Sequence, residues 1–291
     1  MLLDTCTMIL PFVPPTVDGK PWQDYDSEII ANDIRFFRFE AGARWHDFEH
    51  YADNQYFIDP CKLLLTTPGI DMATGEYEAT GIPASILAHY LRESSVIPEK
   101  ADLNSILFLL TPAETLAKFQ HLVARIVRFE KHIRENSPVT QVLPTLAKAF
   151  PQYRTLSIKQ LCQKMHDFYA NHGLNKLQKQ MFEYSHRPVK AMHAYDAHQA
   201  FIRDEVELVP LHEIEGRIAM EGALPYPPGV YCIVPGEVWG GAVLEYFLAL
   251  QEGVNILQGF EPEVQGVYWQ YDEQGNKVAF AYVLKTDIGI K

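Results

Sequence analysis

GALPYPPGVYCIVPGEVWGG, residues Gly222–Gly241, decides how the second half of the chain is read. It holds four of the 19 prolines and five of the 17 glycines, with two Tyr, one Trp and one Glu among them. Proline fixes φ and removes a donor, while glycine permits φ > 0, so the run is not a helix. Its pattern predicts a rigid extended segment over Leu224–Pro228 and a tight turn at Gly229. A short buried strand over Val230–Val234 follows, then a second turn at Pro235-Gly236. Gly240-Gly241 opens a helix over Ala242–Gln251, with Val243, Tyr246, Phe247 and Leu250 on one face and Gly253 as its C-cap. A stiff structural connection is the plain reading. The sharper one is that rigidity holds Tyr226, Glu237 or Trp239 for a site, and composition alone favours the plain one.

Gly266–Leu284 predicts a hairpin, VYWQY and VAFAYVL around a turn at Glu273–Asn276. Val206–Leu211 predicts a strand, Leu174–Ala200 helical pieces, and Leu156–Gly173 a helix. In that helix Ile158, Leu161, Met165, Phe168 and Tyr169 recur at helical spacing. Asn136–Tyr153 carries Pro138, Pro144 and Pro151 and is the expected domain boundary. Before it, strands over Lys62–Thr67 and Ser105–Leu110 alternate with a helix over Pro83–Ser94. A second helix is opened by the capping box Thr111–Glu114, with Pro112 at its first position. That alternation predicts helices packed on one sheet. Ile34–Phe39 alternates weakly and reads as a strand, and Trp45–Tyr51 as a short helix or loop.

The 291 residues leave room for two domains, here 1–145 and 146–291. The 47% hydrophobic and 21% charged residues describe a globular chain with material for a sizeable core. A net charge of −12 argues against a nucleic-acid partner, which wants a basic face, and against anionic membrane surfaces. Cys6, Cys61, Cys162 and Cys232 are far apart and form no CxxC, so free thiols in a reducing cytoplasm are expected. No apolar run is long enough to span a bilayer, and the start lacks the basic region of a signal peptide.

GxSxG, GxGxxG and GxxxxGK are all absent, which removes the hydrolase elbow, the dinucleotide fingerprint and the P-loop. His46/His50 and His193/His198 do not form HExxH, and packing or surface roles outweigh a metal site. Backbone N–H groups of Gly236–Gly240, near a helix start, offer a weak anion site. Glu93 falls in the last turn of its helix, where a carboxylate opposes the helix dipole. Thr66 and Thr67 end a strand as loop-proximal hydroxyls, and Lys62 is the tempting but unsupported imine lysine.

GALPYPPGVYCIVPGEVWGG closely resembles the C-terminal segment of the bacterial ornithine/lysine/arginine decarboxylases. DGKPWQDY (Asp18–Tyr25), DPCKLLLTTPGID (Asp59–Asp71), LNSILFLLTPAE (Leu103–Glu114) and QGVY (Gln265–Tyr268) resemble the same family in the same order. DPCKLLLTTPGID looks more like the ornithine branch. The resemblance implies an α+β fold: an aspartate-aminotransferase-like small domain followed by an α+β C-terminal domain. It implies a pyridoxal-phosphate enzyme of the cytoplasm acting on ornithine or a related basic amino acid as a homodimer or higher oligomer. It also implies that Glu93 receives the distal ammonium of the substrate, with Tyr226 lining that pocket. The family's cofactor lysine lies in Ser-x-His-Lys, and no His-Lys dipeptide occurs in these 291 residues. The expectation is therefore a C-terminal portion of a decarboxylase, inactive alone and without covalently bound cofactor. A non-catalytic regulatory subunit of a full-length decarboxylase is the alternative. After incubation with pyridoxal phosphate and removal of the free cofactor, the purified chain should retain no visible aldimine band. Peptide mass mapping should find no cofactor fixed on Lys62 or any other lysine.

Overall fold

A computed structural model of the protein describes residues 1–46, 48–226 and 229–286. The chain divides into two compact units, Met1–Asp167 and Phe168–Lys291. Each is an α+β arrangement with its own sheet.

In the first unit, strands β1 (Leu10–Pro11), β2 (Lys62–Thr66), β3 (Lys100–Ala101) and β4 (Ser105–Leu109) form one antiparallel sheet in the order β1-β2-β4-β3. The central pair aligns Lys62 with Leu109 and Leu65 with Ile106. Alternation in strands sends successive side chains to opposite faces. Leu65, Ile106 and Phe108 are accordingly buried, while Leu109 is exposed. Helix α1 (Ala84–Glu93) packs on β4 and on helix α2 (Leu116–Glu135), burying the expected Ile86, Leu87, Tyr90 and Leu91.

Three sequence expectations change here. Ile34–Phe37 is a 3₁₀ turn, not a strand: the Asp33 carboxylate accepts the Arg35 N–H and caps it, and Phe36 is buried edge-on to Trp22 and Tyr25. Local capping outweighed a weak alternation. α2 starts at Leu116, because Thr111–Glu114 closes as a separate turn and the Thr115 hydroxyl accepts the Lys118 N–H instead. The proline-bearing stretch Asn136–Tyr153 lies inside the first unit. It is folded into short helices, Val139–Val142 and Pro144–Ala149, with Val139, Leu143 and Tyr153 fully buried. The division between units falls instead within helix α3 (Ile158–Asn171).

Glu130 on α2 is fully buried, and its carboxylate holds the start of the chain. It accepts the backbone N–H groups of Thr7 (3.1 Å), Met8 (2.8 Å) and Ile9 (3.0 Å), and Arg134 pairs with it at 3.2 Å.

In the second unit, α4 (Leu174–Gln180) and α5 (Ala194–Ile202) precede β5 (Val206–Pro210). The expected hairpin is β8 (Tyr268–Tyr271) with β9 (Lys277–Leu284), turning at Asp272–Asn276, and β9 pairs on with β5. Arg217 donates to the Glu207 carboxylate and to the Leu284 carbonyl (2.6 Å), tying β5 to the end of β9.

The opening stretch follows its pattern in part: Leu224–Tyr226 is extended and Gly229 turns with φ +75°, residues 227 and 228 lie outside the described residues, and the strand expected over Val230–Val234 does not form. Its strand is β6 (Leu224–Tyr226), paired with β7 (Glu263–Gln265). Val230 and Tyr231 are exposed, and only Cys232 and Ile233 turn inward, through one bridge to Ala223. The turn at Gly236 does occur, with φ +91°, and a Cβ there would sit 2.5 Å from the Met192 carbonyl oxygen. Helix α6 runs over Gly241–Ile256, so Gly253 is internal; a Cβ there would press the Phe168 ring at 3.2 Å. Close packing explains this glycine, not a cap.

Burial pushes the Glu130 pKa up, but three backbone N–H groups and Arg134 pull it down further, and it ends below the usual range. A carboxyl with a folded pKa below its unfolded value of about 4.3 stabilises the fold above that pH, and this is lost as pH falls through the folded value. Glu130→Gln should lower the unfolding free energy by about 1–3 kcal/mol at pH 7. It should also flatten the acid limb of the stability curve; urea melts at pH 7 and below pH 4 check both.

Candidate functional site

The end of β2 and the start of α1 meet in a knot of buried polar groups. The segment Thr66-Thr67-Pro68-Gly69 leaves the sheet, and Gly81-Ile82-Pro83 leads into α1. Asn104, from the turn before β4, sits between them and is buried. Its Nδ2 faces the Pro68 carbonyl at 2.7 Å, the Thr67 hydroxyl at 3.3 Å and the Ile82 carbonyl at 3.3 Å. From the other side, Glu78 accepts the Gly69 N–H at 3.1 Å, and its own N–H donates to the Gly69 carbonyl at 2.9 Å.

His166 of α3 closes the knot. Its Nε2 lies 2.7 Å from the Glu78 carbonyl, an acceptor only, so this nitrogen carries the proton. Nδ1 is buried without a hydrogen-bond partner and lies where a side chain at Gly81 would begin. A Cβ at Gly69 would likewise lie 2.8 Å from Asn104 Nδ2 and 2.9 Å from the Gly81 Cα. Both glycines are required by close approach, the first also by φ +133°. The knot fixes a turn; it holds no nucleophile paired with a base.

The residues singled out from sequence are spread more widely. Thr66 donates to the Leu10 carbonyl at 3.4 Å, and Thr67 is buried against Asn104. Glu93 is at the far end of α1, about 14 Å along a ten-residue helix. It is exposed, and its Oε1 accepts the Thr145 N–H at 3.1 Å, in the first turn of the helix Pro144–Ala149. A carboxylate unfavourable for its own helix dipole thus serves the start of the next helix. Tyr226 belongs to the second unit and is exposed, its ring lying over Gly229. Lys62 is exposed, 3.9 Å from Asp59. No lysine among the described residues is buried.

Other sequence candidates have structural explanations. His46 is buried in an aromatic cluster with Phe39, Trp45 and Phe48, its Nδ1 accepting the Phe48 N–H, whereas His50 is exposed. No cluster of three metal-ligating groups occurs among the described residues. The N–H groups of Gly236, Glu237, Val238 and Trp239 donate to Ala219, Val234, Val189 and Arg217 carbonyls, which leaves none of the four for an anion. Asn104, Glu78, Gly81 and His166 escaped the sequence reading. The one signal was the pair of glycines flanking a polar excursion.

Residues 1–118 match the Orn/Lys/Arg decarboxylase major domain, and residues 175–285 the Orn/Lys/Arg decarboxylase C-terminal domain. The chain belongs to the Orn/Lys/Arg decarboxylase family. It is 59% identical to the constitutive ornithine decarboxylase of Escherichia coli over 98% of its own length and 40% of that protein's. It is 56% identical to the ornithine decarboxylase of Haemophilus influenzae, again over 98% of this chain and 40% of the relative. The chain thus spans about 40% of the length of the curated relatives it matches. Among solved structures, the constitutive lysine decarboxylase of E. coli superposes with a TM-score of 0.80 at 29% identity, covering 96% of this chain and 37% of that one. Lysine decarboxylase A of Pseudomonas aeruginosa gives 0.78 at 33% identity, covering 86% and 33%. Thr67, Gly69, Glu78, Gly81 and Asn104 of the knot lie in the part that matches the major domain, whereas His166 lies between the two matched segments.

Gly81→Ala should destabilise the first unit by about 1–3 kcal/mol, the usual cost of overpacking. In Gly81→Ala/His166→Ala the overlap is gone, so the double variant should be more stable than the sum of the two single losses. Urea denaturation of all four proteins measures this coupling; strict additivity would mean that the ring and the glycine do not meet.

Proposed function

We propose that this chain is part of a pyridoxal-phosphate-dependent ornithine decarboxylase, which converts ornithine to putrescine and CO2 in the synthesis of polyamines. One observation carries the ornithine reading. Among the relatives compared, four ornithine decarboxylases share 51–59% identity with the chain, whereas lysine and arginine decarboxylases share 31–35%.

The cofactor supplies the electron sink when the α-carboxylate leaves. The residues of this chain do not fit its covalent attachment. An imine lysine is poised by burial, which favours the uncharged amine, and the described lysines are all at least partly exposed. The Ser-x-His-Lys sequence is missing as well. In this proposal the cofactor and its lysine belong to the portion of the decarboxylase outside these 291 residues. The chain contributes the substrate's distal contact and assembly surfaces, and taken alone it does not turn over.

Glu93 is the proposed partner of the distal ammonium; Thr66 and Thr67, at the opposite end of α1 and engaged with Leu10 and Asn104, are not part of that contact. The Glu93 carboxylate is exposed and makes one hydrogen bond, so it retains lone pairs for a cation. Burial of that pair in an intact homo-oligomer would make the charge decisive.

Replacing the corresponding segment of the E. coli constitutive ornithine decarboxylase with this chain tests both points. The hybrid should use ornithine and prefer it over lysine. The two substrates differ by one methylene, which a pocket distinguishes by about 10–200-fold. A preference for lysine would overturn the ornithine reading. Glu93→Gln in the hybrid keeps an oxygen for Thr145 but removes the charge. Breaking a buried charged pair costs about 3–5 kcal/mol, so kcat/KM should fall by two to three orders of magnitude at roughly 1.4 kcal/mol per tenfold. Unchanged kcat/KM at full cofactor occupancy would remove Glu93 from the site.

A further inference from the structure

We propose that a cavity beside the first turns of α3 is a binding site for a small organic anion with an apolar body, distinct from any site for the basic amino acid. The cavity has a volume of about 670 Å³ and lies wholly within the first unit. That is the size of small-molecule sites, roughly 300–1,000 Å³. Met8, Ile82 and Ile133 supply apolar wall, and Ser157, Lys159 and Gln163 stand on the α3 side.

Its walls are built before any ligand arrives. Met8 is pinned by its N–H to the buried Glu130 carboxylate at 2.8 Å. Ile82 is held at both ends, its N–H on the Pro68 carbonyl at 2.8 Å and its carbonyl facing Asn104. On α3, Ser157 N–H donates to Gln160 Oε1 at 2.9 Å while Gln160 N–H donates to the Ser157 hydroxyl, and Gln163 Nε2 reaches the Ala79 carbonyl at 3.1 Å. The Met8 and Ile82 walls are thus held by bonds that are themselves part-buried or buried.

The charge of the lining sets the ligand class. Lys159 is the one formally charged side chain there, and no carboxylate lines it among the described residues. Cys162, also in the wall, is kept a neutral thiol by burial, which pushes its pKa up to about 12. Lys159, whose side chain is exposed, thus gives the lining a single positive charge. The first N–H groups of α3 are already used: Ile158 on the Ser137 carbonyl, Lys159 on Asn136 Oδ1 and Gln160 on Ser157. An anion therefore depends on the Lys159 ammonium, and its body on the apolar wall. Ornithine and putrescine, which carry ammonium groups, do not suit it. The proposal is independent of the decarboxylase reading.

Titration of the 291-residue chain with octanoate, octylamine and octanol, followed by ¹⁵N–¹H NMR, tests it. Octanoate should bind saturably with a Kd on the order of 0.1–1 mM, as expected for a ligand of this size. Octanol should bind more weakly and octylamine not at all. Lys159→Met should weaken octanoate by about tenfold or more while leaving octanol unchanged. Thr80→Trp fills the mouth from an exposed position and should abolish both. Octylamine binding as tightly as octanoate, no saturable octanoate binding, or binding indifferent to both substitutions would overturn the proposal.

Discussion

A single buried carboxylate decides where the chain's first residues go. Glu130 projects from α2 into a site with no solvent, where an unpaired charge is prohibitive. Three successive backbone N–H groups, of Thr7, Met8 and Ile9, meet that requirement, aided by Arg134. The next residue, Leu10, begins the edge strand β1, paired with Thr66 of β2. The carboxylate thus sets the edge of the sheet, the position of the Thr66 hydroxyl under Leu10, and the Met8 wall of the cavity. These groups are more than 120 residues apart in sequence, so the dependence is purely tertiary.

That distance explains what sequence could and could not disclose. Strands β2 and β4, helices α1 and α3 and the β8–β9 hairpin were legible because each carries its own periodicity or turn chemistry. Ile34–Phe37 and Val230–Val234 were not, because their few apolar residues fit more than one local conformation. At Ile34–Phe37 the local Asp33 cap decided, with Trp22 and Tyr25 packed around Phe36, and at Ile233 a single bridge from Ala223. The prolines of Asn136–Tyr153 suggested a domain boundary, yet proline at a first helical position is compatible with helix, as Pro144 shows.

The knot was illegible for the same reason. Asn104, Glu78 and His166 are ordinary polar residues in sequence, and only the fold brings them around Gly69 and Gly81. Recognition of TTPG and its neighbours pointed to the family without explaining why those residues are needed. Structure supplies the explanation: the turn after β2 is too close to Asn104, and the turn before α1 too close to His166, for any side chain at either glycine.

The two ends of α1 then differ in kind. Its start is held by the buried Asn104 and by the N–H of the buried Ala84 on the Leu103 carbonyl. Its end presents Glu93 to solvent, with one oxygen engaged by the Thr145 N–H. A carboxylate at the C-terminal end of a helix costs a few tenths of a kcal/mol up to about 1 kcal/mol against the dipole, and one at the start of the next helix recovers a similar amount. The position is therefore nearly neutral for the stability of this chain. Stability alone gives little reason for a carboxylate there, since a glutamine would serve Thr145 through its own oxygen. In the proposed decarboxylase role that charge would serve a cation, from the end of α1 opposite the Asn104 contact.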